Sequence, residues 1–268
     1  MFSYKYVIID FIGSGIMFEK EVKLFMLFDI LGDMIRSGMI QWKVDRQRLE
    51  DVKDHIMDLI LITKILAKYF PSNVDINKMI DYIIVHDLPE AITGDITKFE
   101  GVSDEEKNRV TKLAIDFLVN NFNDIIDFKT LIPAYEERRD LETKVVKMID
   151  KVHSSTTFIK YEAEKHIDMD NPDIIDSLRY HPFVNDMYNK GYDVADIFYE
   201  FHRKALCFTD DELIKYNISR EDADKIVFAI RSFHDELYKQ KLNSTLFDVY
   251  DERPKDAMVY NRLVKELS

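Results

Sequence analysis

In the window "HIMDLILITKILAKYF", residues 55–70, apolar side chains recur at Ile56, Leu59, Ile60, Ile62, Leu66 and Phe70, leaving Asp58, Lys64 and Lys68 largely to the other side. Such three-to-four spacing marks an amphipathic helix with one face turned to a core. Pro71 stands just past its end. "SNVDINKMIDYIIVHD" then begins a second helix, capped by Ser72 or Asp75, that runs into His86 and Asp87. Ser103 and Glu106, in "SDEEKNRVTKLAIDFLVNNF", form the S-x-x-E capping box of a third helix. Residues 123–133 read as a connection. "AYEERRDLETKVVKMIDKVHSSTTFIKYEAEK" reads as one long helix in which Val146, Ile149, Asp150 and His153 share a face. From about residue 168 "DMDNPD" and "YHPFVND" break the periodicity, before "SREDADKIVFAIRSFHDELYKQKL" predicts another capped helix over 219–242.

Seven glycines and six prolines in 268 residues are too few turn-formers for a many-stranded fold, so the chain is expected to be all-α. No repeat or flexible Gly/Ser linker is present, so the C-terminal third is expected to pack on what precedes it. The first segment, up to about residue 20, reads as a short strand or helix whose apolar character points to docking or a homodimer contact.

A net charge of −13 lacks the clustered Lys and Arg of a nucleic-acid footprint, so duplex binding is not expected, although a few local cations could still hold a small anion. Cys207, the only cysteine, excludes an internal disulfide or a multi-cysteine zinc cage and fits a reducing compartment; it reads as a packing residue. No stretch approaches the ~20 apolar residues of a membrane span, and the N-terminus lacks the pattern of a signal peptide. A cytoplasmic protein is the expectation.

The chemistry gathers on apolar faces. His55, His86, Asp87 and Asp150 each lie on or at the end of a predicted helix whose neighbours are apolar, and a buried aspartate must find a cation or several donors. Two imidazoles and two carboxylates make a plausible shell for one divalent transition metal with room for water and a substrate oxygen. The plainer alternative is that His86 and Asp87 cap a helix and His55 is a satisfied core histidine. In "VHDLPEAITGDI", residues 85–96, Glu90 and Asp95 follow at once.

The order H...HD...D, with 31 residues from His55 to His86 and 63 from Asp87 to Asp150, resembles the signature of HD-domain metal-dependent phosphohydrolases. "DVKDH", "HDLPEAITGDI" and "KVVKMIDKV" narrow the likeness to the small 5'-deoxynucleotidase branch, over roughly residues 22–165. The resemblance implies an HD-domain helical bundle over 22–167, with an N-terminal segment, 1–21, and an additional C-terminal helical extension, 168–268. It implies one metal ion (Mn, Co, Ni, Fe or Zn) held by His55, His86, Asp87 and Asp150, because His153, His166, His181, His202 and His234 do not have the spacing of multi-metal relatives. It assigns Glu90 to water activation or proton transfer and Asp95 to the sugar of a nucleotide substrate. It also places a tryptophan and an arginine upstream of the first histidine. Trp42 lines the sugar pocket or the core, and Arg48, seven residues before His55, is chosen for phosphate because a guanidinium fork suits phosphoryl oxygens. His153, one turn past Asp150, could face substrate or support a ligand. The expected activity is removal of phosphate from deoxyribonucleoside 5'-monophosphates. The rivals are a dNTP triphosphohydrolase or phosphodiesterase of the same superfamily, and a non-catalytic helical binding protein with a structural metal.

Overall fold

The computed structural model describes residues 18–45, 49–97, 101–167 and 181–243. The predicted N-terminal segment lies almost wholly outside the described residues. The helices are α1 (Glu19–Ile30), α2 (Ser37–Gln41), α3 (Val52–Leu66), α4 (Ile76–His86), α5 (Glu90–Thr93), α6 (Asp104–Phe122), α7 (Phe128–Glu136), α8 (Leu141–Ala163), α9 (Pro182–Asn189), α10 (Val194–Lys204), α11 (Asp210–Lys215) and α12 (Arg220–Asn243). An isolated antiparallel bridge between Ile35 and Asp51 is the only strand-like pairing among the described residues, so the all-α expectation holds. No described helix is long and apolar enough to cross a membrane.

Helix α8 is the axis of the fold. It packs on α3 and α4 and also on α10 and α12, which is why Val145, Val146, Ile149, Val152, Phe158 and Ile159 are all buried. The main core joins the apolar faces of α3, α4, α7 and α8 to Leu206, Phe208, Ile226 and Ile230, so the region after residue 181 shares one core with the first part. A smaller cluster gathers Met39, Trp42 and Val44 against Phe158, Ile159 and Phe198.

Four local expectations need correction. Residues 123–133 are not a plain connection, because α7 begins at Phe128 with Asp127 as its cap and continues through Pro133. Burial of Phe128, Ile132 and Tyr135 outweighs the cost of an internal proline. The long helix starts only at Leu141. Arg138 adopts a positive φ of 52°, which ends α7, and Asp140 opens α8 with a capping box shared with Thr143. The box at Ser103 is half made: Ser103 accepts from the Glu106 N–H at 3.1 Å, but the Glu106 carboxylate is taken by Arg109. Cys207 is exposed, not packed, because its neighbours Leu206 and Phe208 turn inward and leave it facing out.

His202 on α10 supplies a stability prediction. It is buried, its Nδ1 is 2.8 Å from the Phe198 carbonyl, and burial pushes it down to about 4. The unfolded imidazole, near 6.5, therefore takes its proton first as pH falls. The contribution is complete above pH 6.5 and is lost towards pH 4, at about 1.4 kcal/mol per pH unit. Urea unfolding of wild type and His202→Leu at pH 7 and pH 5 should show the variant losing about 2 kcal/mol less over that interval. Equal losses would contradict the assignment.

Candidate metal centre

Three helices deliver the donor atoms. Asp51 caps α3 by accepting from the Asp54 N–H at 2.7 Å, which starts the helix so that His55 falls on its buried face. His86 is the last residue of α4 and Asp87 its C-cap, so the pair sits where the helix leaves the core. Asp150 comes from the middle of α8. The Asp87 Oδ2 atom lies 3.1 Å from His86 Nε2 and 3.7 Å from His55 Nε2, and Asp150 Oδ1 is 3.3 Å from His55 Nε2. Both Nε2 atoms and Asp87 Oδ2 are buried without a hydrogen-bond partner. Buried polar atoms are normally satisfied, so orphaned donors aimed at one point mark a place for a cation. The donor set of two imidazoles and two carboxylates fits a divalent ion.

The outer nitrogens settle which ring atom is free. His86 Nδ1 is 2.7 Å from the Ile83 carbonyl, which can only accept, so the ring proton sits on Nδ1 and Nε2 keeps its lone pair. His55 Nδ1 lies 2.8 Å from His153 Nδ1. Glu50, His55 and His153 also stand close enough to suggest a second ion, but the two Nδ1 atoms share a proton between them and cannot both face a metal.

Charge balance follows burial. His55 is pushed down to about 3, by burial and then by Arg36, and is neutral as a ligand must be. Burial also pushes His86 down, but Asp87 and then Asp150 outweigh it and raise its proton affinity in the metal-free protein. Burial works to raise Asp87 and Asp150, yet His86, His55 and Arg36 hold Asp87 low, and His55 with Lys147 holds Asp150 low. Both carboxylates are ionised and available to a cation.

Beside this centre lies a cavity of about 270 Å³ lined by His86, Asp87, Glu90, Lys107, Tyr135 and Lys147, among others. Glu90 Oε2 and the Tyr135 hydroxyl are buried with no hydrogen-bond partner. Burial, then Asp87 and Asp95, raises the Glu90 carboxyl far above the usual carboxylate range. Lys147 stands 3.9 Å from Asp150 Oδ2 and 4.3 Å from the centre of the Tyr135 ring.

The arginine at this centre is Arg36. It is 3.7 Å from Asp87 Oδ2 and 3.9 Å from Glu50 Oε1, held there because Arg36 N–H donates to the Glu50 carbonyl at 3.1 Å beside the Ile35–Asp51 bridge. Its neighbour Ser37 donates its N–H to Asp95 Oδ2 at 2.8 Å and its hydroxyl to the Asp95 carbonyl, tying the start of α2 to the turn after α5. Gly94, at φ 82°, makes that turn.

The structure thus brings His55, His86, Asp87 and Asp150 together, with Glu90 and Asp95 close by. Of the two places open to Trp42 it takes the packed one, edge-on to Phe158 at 4.8 Å and Phe198 at 5.7 Å, and it is not among the residues lining the 270 Å³ cavity. A large apolar ring gains from that aromatic cluster. Arg48 lies outside the described residues. Sequence reading missed Arg36, Tyr135 and Lys147. Only Lys147 carried a local signal, three residues before Asp150 on the same helix.

Residues 28–179 match the family model of the HD domain. The chain is 31% identical over 135 residues to the 5'-deoxynucleotidase YBR242W of Saccharomyces cerevisiae, covering 48% of this chain and 55% of that protein. It is 28% identical over 155 residues to the 5'-deoxynucleotidase HDDC2 of Dictyostelium discoideum, covering 55% of this chain and 80% of that one. The chain therefore spans little more than half the length of the yeast relative. Among solved structures it is similar to the PH0347 protein of Pyrococcus horikoshii, at 21% identity and a TM-score of 0.48, over 69% of this chain and 97% of that one.

Proposed function

Since the chain belongs to the HD-domain family, we propose that it is a divalent-metal-dependent phosphohydrolase that removes phosphate from deoxyribonucleoside 5'-monophosphates. The observation that carries this reading is the convergence of unpartnered His55 Nε2, His86 Nε2 and Asp87 Oδ2, with His86, Asp87 and an unpartnered Glu90 Oε2 lining one cavity. His55, His86, Asp87 and Asp150 would hold a divalent ion, which would supply Lewis acidity to a phosphoryl oxygen and lower the pKa of water there. Glu90 Oε2, buried and unpartnered on the cavity wall, is the group that takes or returns the proton. Arg36 and Lys147 already offset the carboxylates, and Lys107 adds a further cation on the cavity wall for the phosphate. Asp95 holds the sugar 3'-hydroxyl while its Oδ2 stays anchored on Ser37. The naming of the yeast and Dictyostelium relatives as 5'-deoxynucleotidases supports the choice of substrate.

The test is a metal-supplemented comparison of dNMP, NMP and dNTP with phosphate, pyrophosphate and triphosphate detected separately. Phosphate released from dNMP in clear preference to NMP is the expected result. Triphosphate released from dNTP would replace this reading with that of a triphosphohydrolase, and bound metal without turnover would make the ion structural. In Asp95→Ala, kcat/KM for dNMP should fall on the order of tenfold to a hundredfold, the loss of one hydrogen bond to a charged group. An unchanged value would remove Asp95 from the sugar site.

A further inference from the structure

Two polar residues behind His55 have no part in that reaction. His153, one turn beyond Asp150 on α8, is buried, and its Nδ1 lies 2.8 Å from His55 Nδ1. Its other nitrogen, Nε2, is 3.1 Å from Asp58 Oδ2, and Asp58 sits on α3 one turn after His55, with its side chain about half exposed. On this face α3 and α8 enclose a second cavity, of about 300 Å³, lined by Glu50, Asp58, His153, Thr157 and Lys160, among others.

The direction of every proton in this row follows from one end of it. Asp58 can only accept, because the hydrogen bond from His153 holds its carboxyl below the ordinary range. His153 therefore carries a hydrogen on Nε2, and as a neutral ring with that one hydrogen it presents Nδ1 as an acceptor. An accepting His153 Nδ1 at hydrogen-bond distance requires the His55 hydrogen to be on Nδ1. His55 Nε2 then bears a lone pair and points at Asp87 and Asp150. The opposite arrangement would put a hydrogen on His55 Nε2, where it would block a metal and leave His153 Nε2 facing a carboxylate lone pair without a proton.

We propose that His153 and Asp58 are positioning residues that hold His55 in the one tautomer and ring orientation able to ligate the metal. The inference deepens the reading of the site as a metal centre and rests on it. It goes further in giving α8 two tasks one turn apart: Asp150 binds the ion directly, and His153 sets its histidine partner from behind. Second partners of this kind commonly contribute 10–100-fold to metal affinity.

The experiment uses the full chain, stripped of metal, and measures Co²⁺ affinity by competition with a chromophoric chelator, with no substrate present. His153→Leu fills the space without accepting a hydrogen bond, whereas the amide oxygen of His153→Gln can still accept from His55 Nδ1. Co²⁺ binding should weaken 10–100-fold in His153→Leu and return to within a few-fold of wild type in His153→Gln. Asp58→Ala, a half-exposed position that the fold tolerates, should weaken binding by a smaller factor, on the order of several-fold. Wild-type affinity in both His153→Leu and Asp58→Ala, or equal affinity in the Leu and Gln variants, overturns the positioning role. Should His153→Leu fail to fold, as judged by circular dichroism, unchanged affinity in Asp58→Ala alone overturns it. A wild-type chain that binds no Co²⁺ would instead remove the metal centre itself.

Discussion

Asp87→Ala should lose its bound metal and its phosphohydrolase activity in a single step, and His86→Ala should do the same. Each side chain gives an atom that is buried and otherwise unpartnered, so neither variant can recruit a neighbour in its place. Loss of one donor from a set of four leaves too few for the ion, and loss of Asp87 also removes half of the carboxylate charge that would balance it. There is a second consequence at Asp87, because Arg36 is 3.7 Å from it and keeps only Glu50, Asp95 and Asp150 to offset its charge. Elemental analysis after gel filtration checks the prediction. Full occupancy in either variant would contradict the ligand assignment, whereas activity falling by orders of magnitude together with metal content would support it.

Glu90→Ala should separate these two properties: metal content stays near wild type while kcat falls by ~10²–10⁴-fold, the usual range for a general acid or base. Glu90 opens the four-residue α5, where its N–H donates to the Asp87 carbonyl at 2.9 Å, so the backbone beside Asp87 is kept in the variant. Its carboxyl contributes nothing to the donor set. Removing it also relieves crowding among Asp87, Glu90 and Asp95, so the variant should be no less stable than wild type. KM for a dNMP substrate should change much less than kcat, because the lost interaction belongs to the transition state. A variant with near-normal kcat would take Glu90 out of the mechanism.

The parts of this protein that could be read from its sequence are those with a local cause. The period of α3 and α4, and the placing of His55, His86 and Asp87 at their ends, follow from patterns a few residues long, and Asp150 and His153 declare themselves as polar residues on an apolar stripe. Arg36 had no such signature. It sits in a short irregular segment whose position is set by pairing between residues 34–36 and 50–52. That contact is long-range, and nothing in the sequence around Arg36 announces it. Helix α7 was hidden for a related reason, since its stability comes from where Phe128, Ile132 and Tyr135 are buried and not from propensity. For Trp42 the sequence left two places open. Its packing partner Phe198 lies in a part of the chain where no motif could be read.

That last contact makes Trp42 an optical probe. It is the sole tryptophan, and it sits nearly buried between α2, Phe158 of α8 and Phe198 of α10, whose rings stack 3.9 Å apart. Fluorescence excited selectively in the indole therefore reports one of the seams where the region after residue 181 meets the rest. A denaturation curve followed at that wavelength will record the parting of this seam. Should the seam open before the helices melt, emission will shift to the red while circular dichroism holds steady, and the gap between the two curves will measure how independently the C-terminal helices let go.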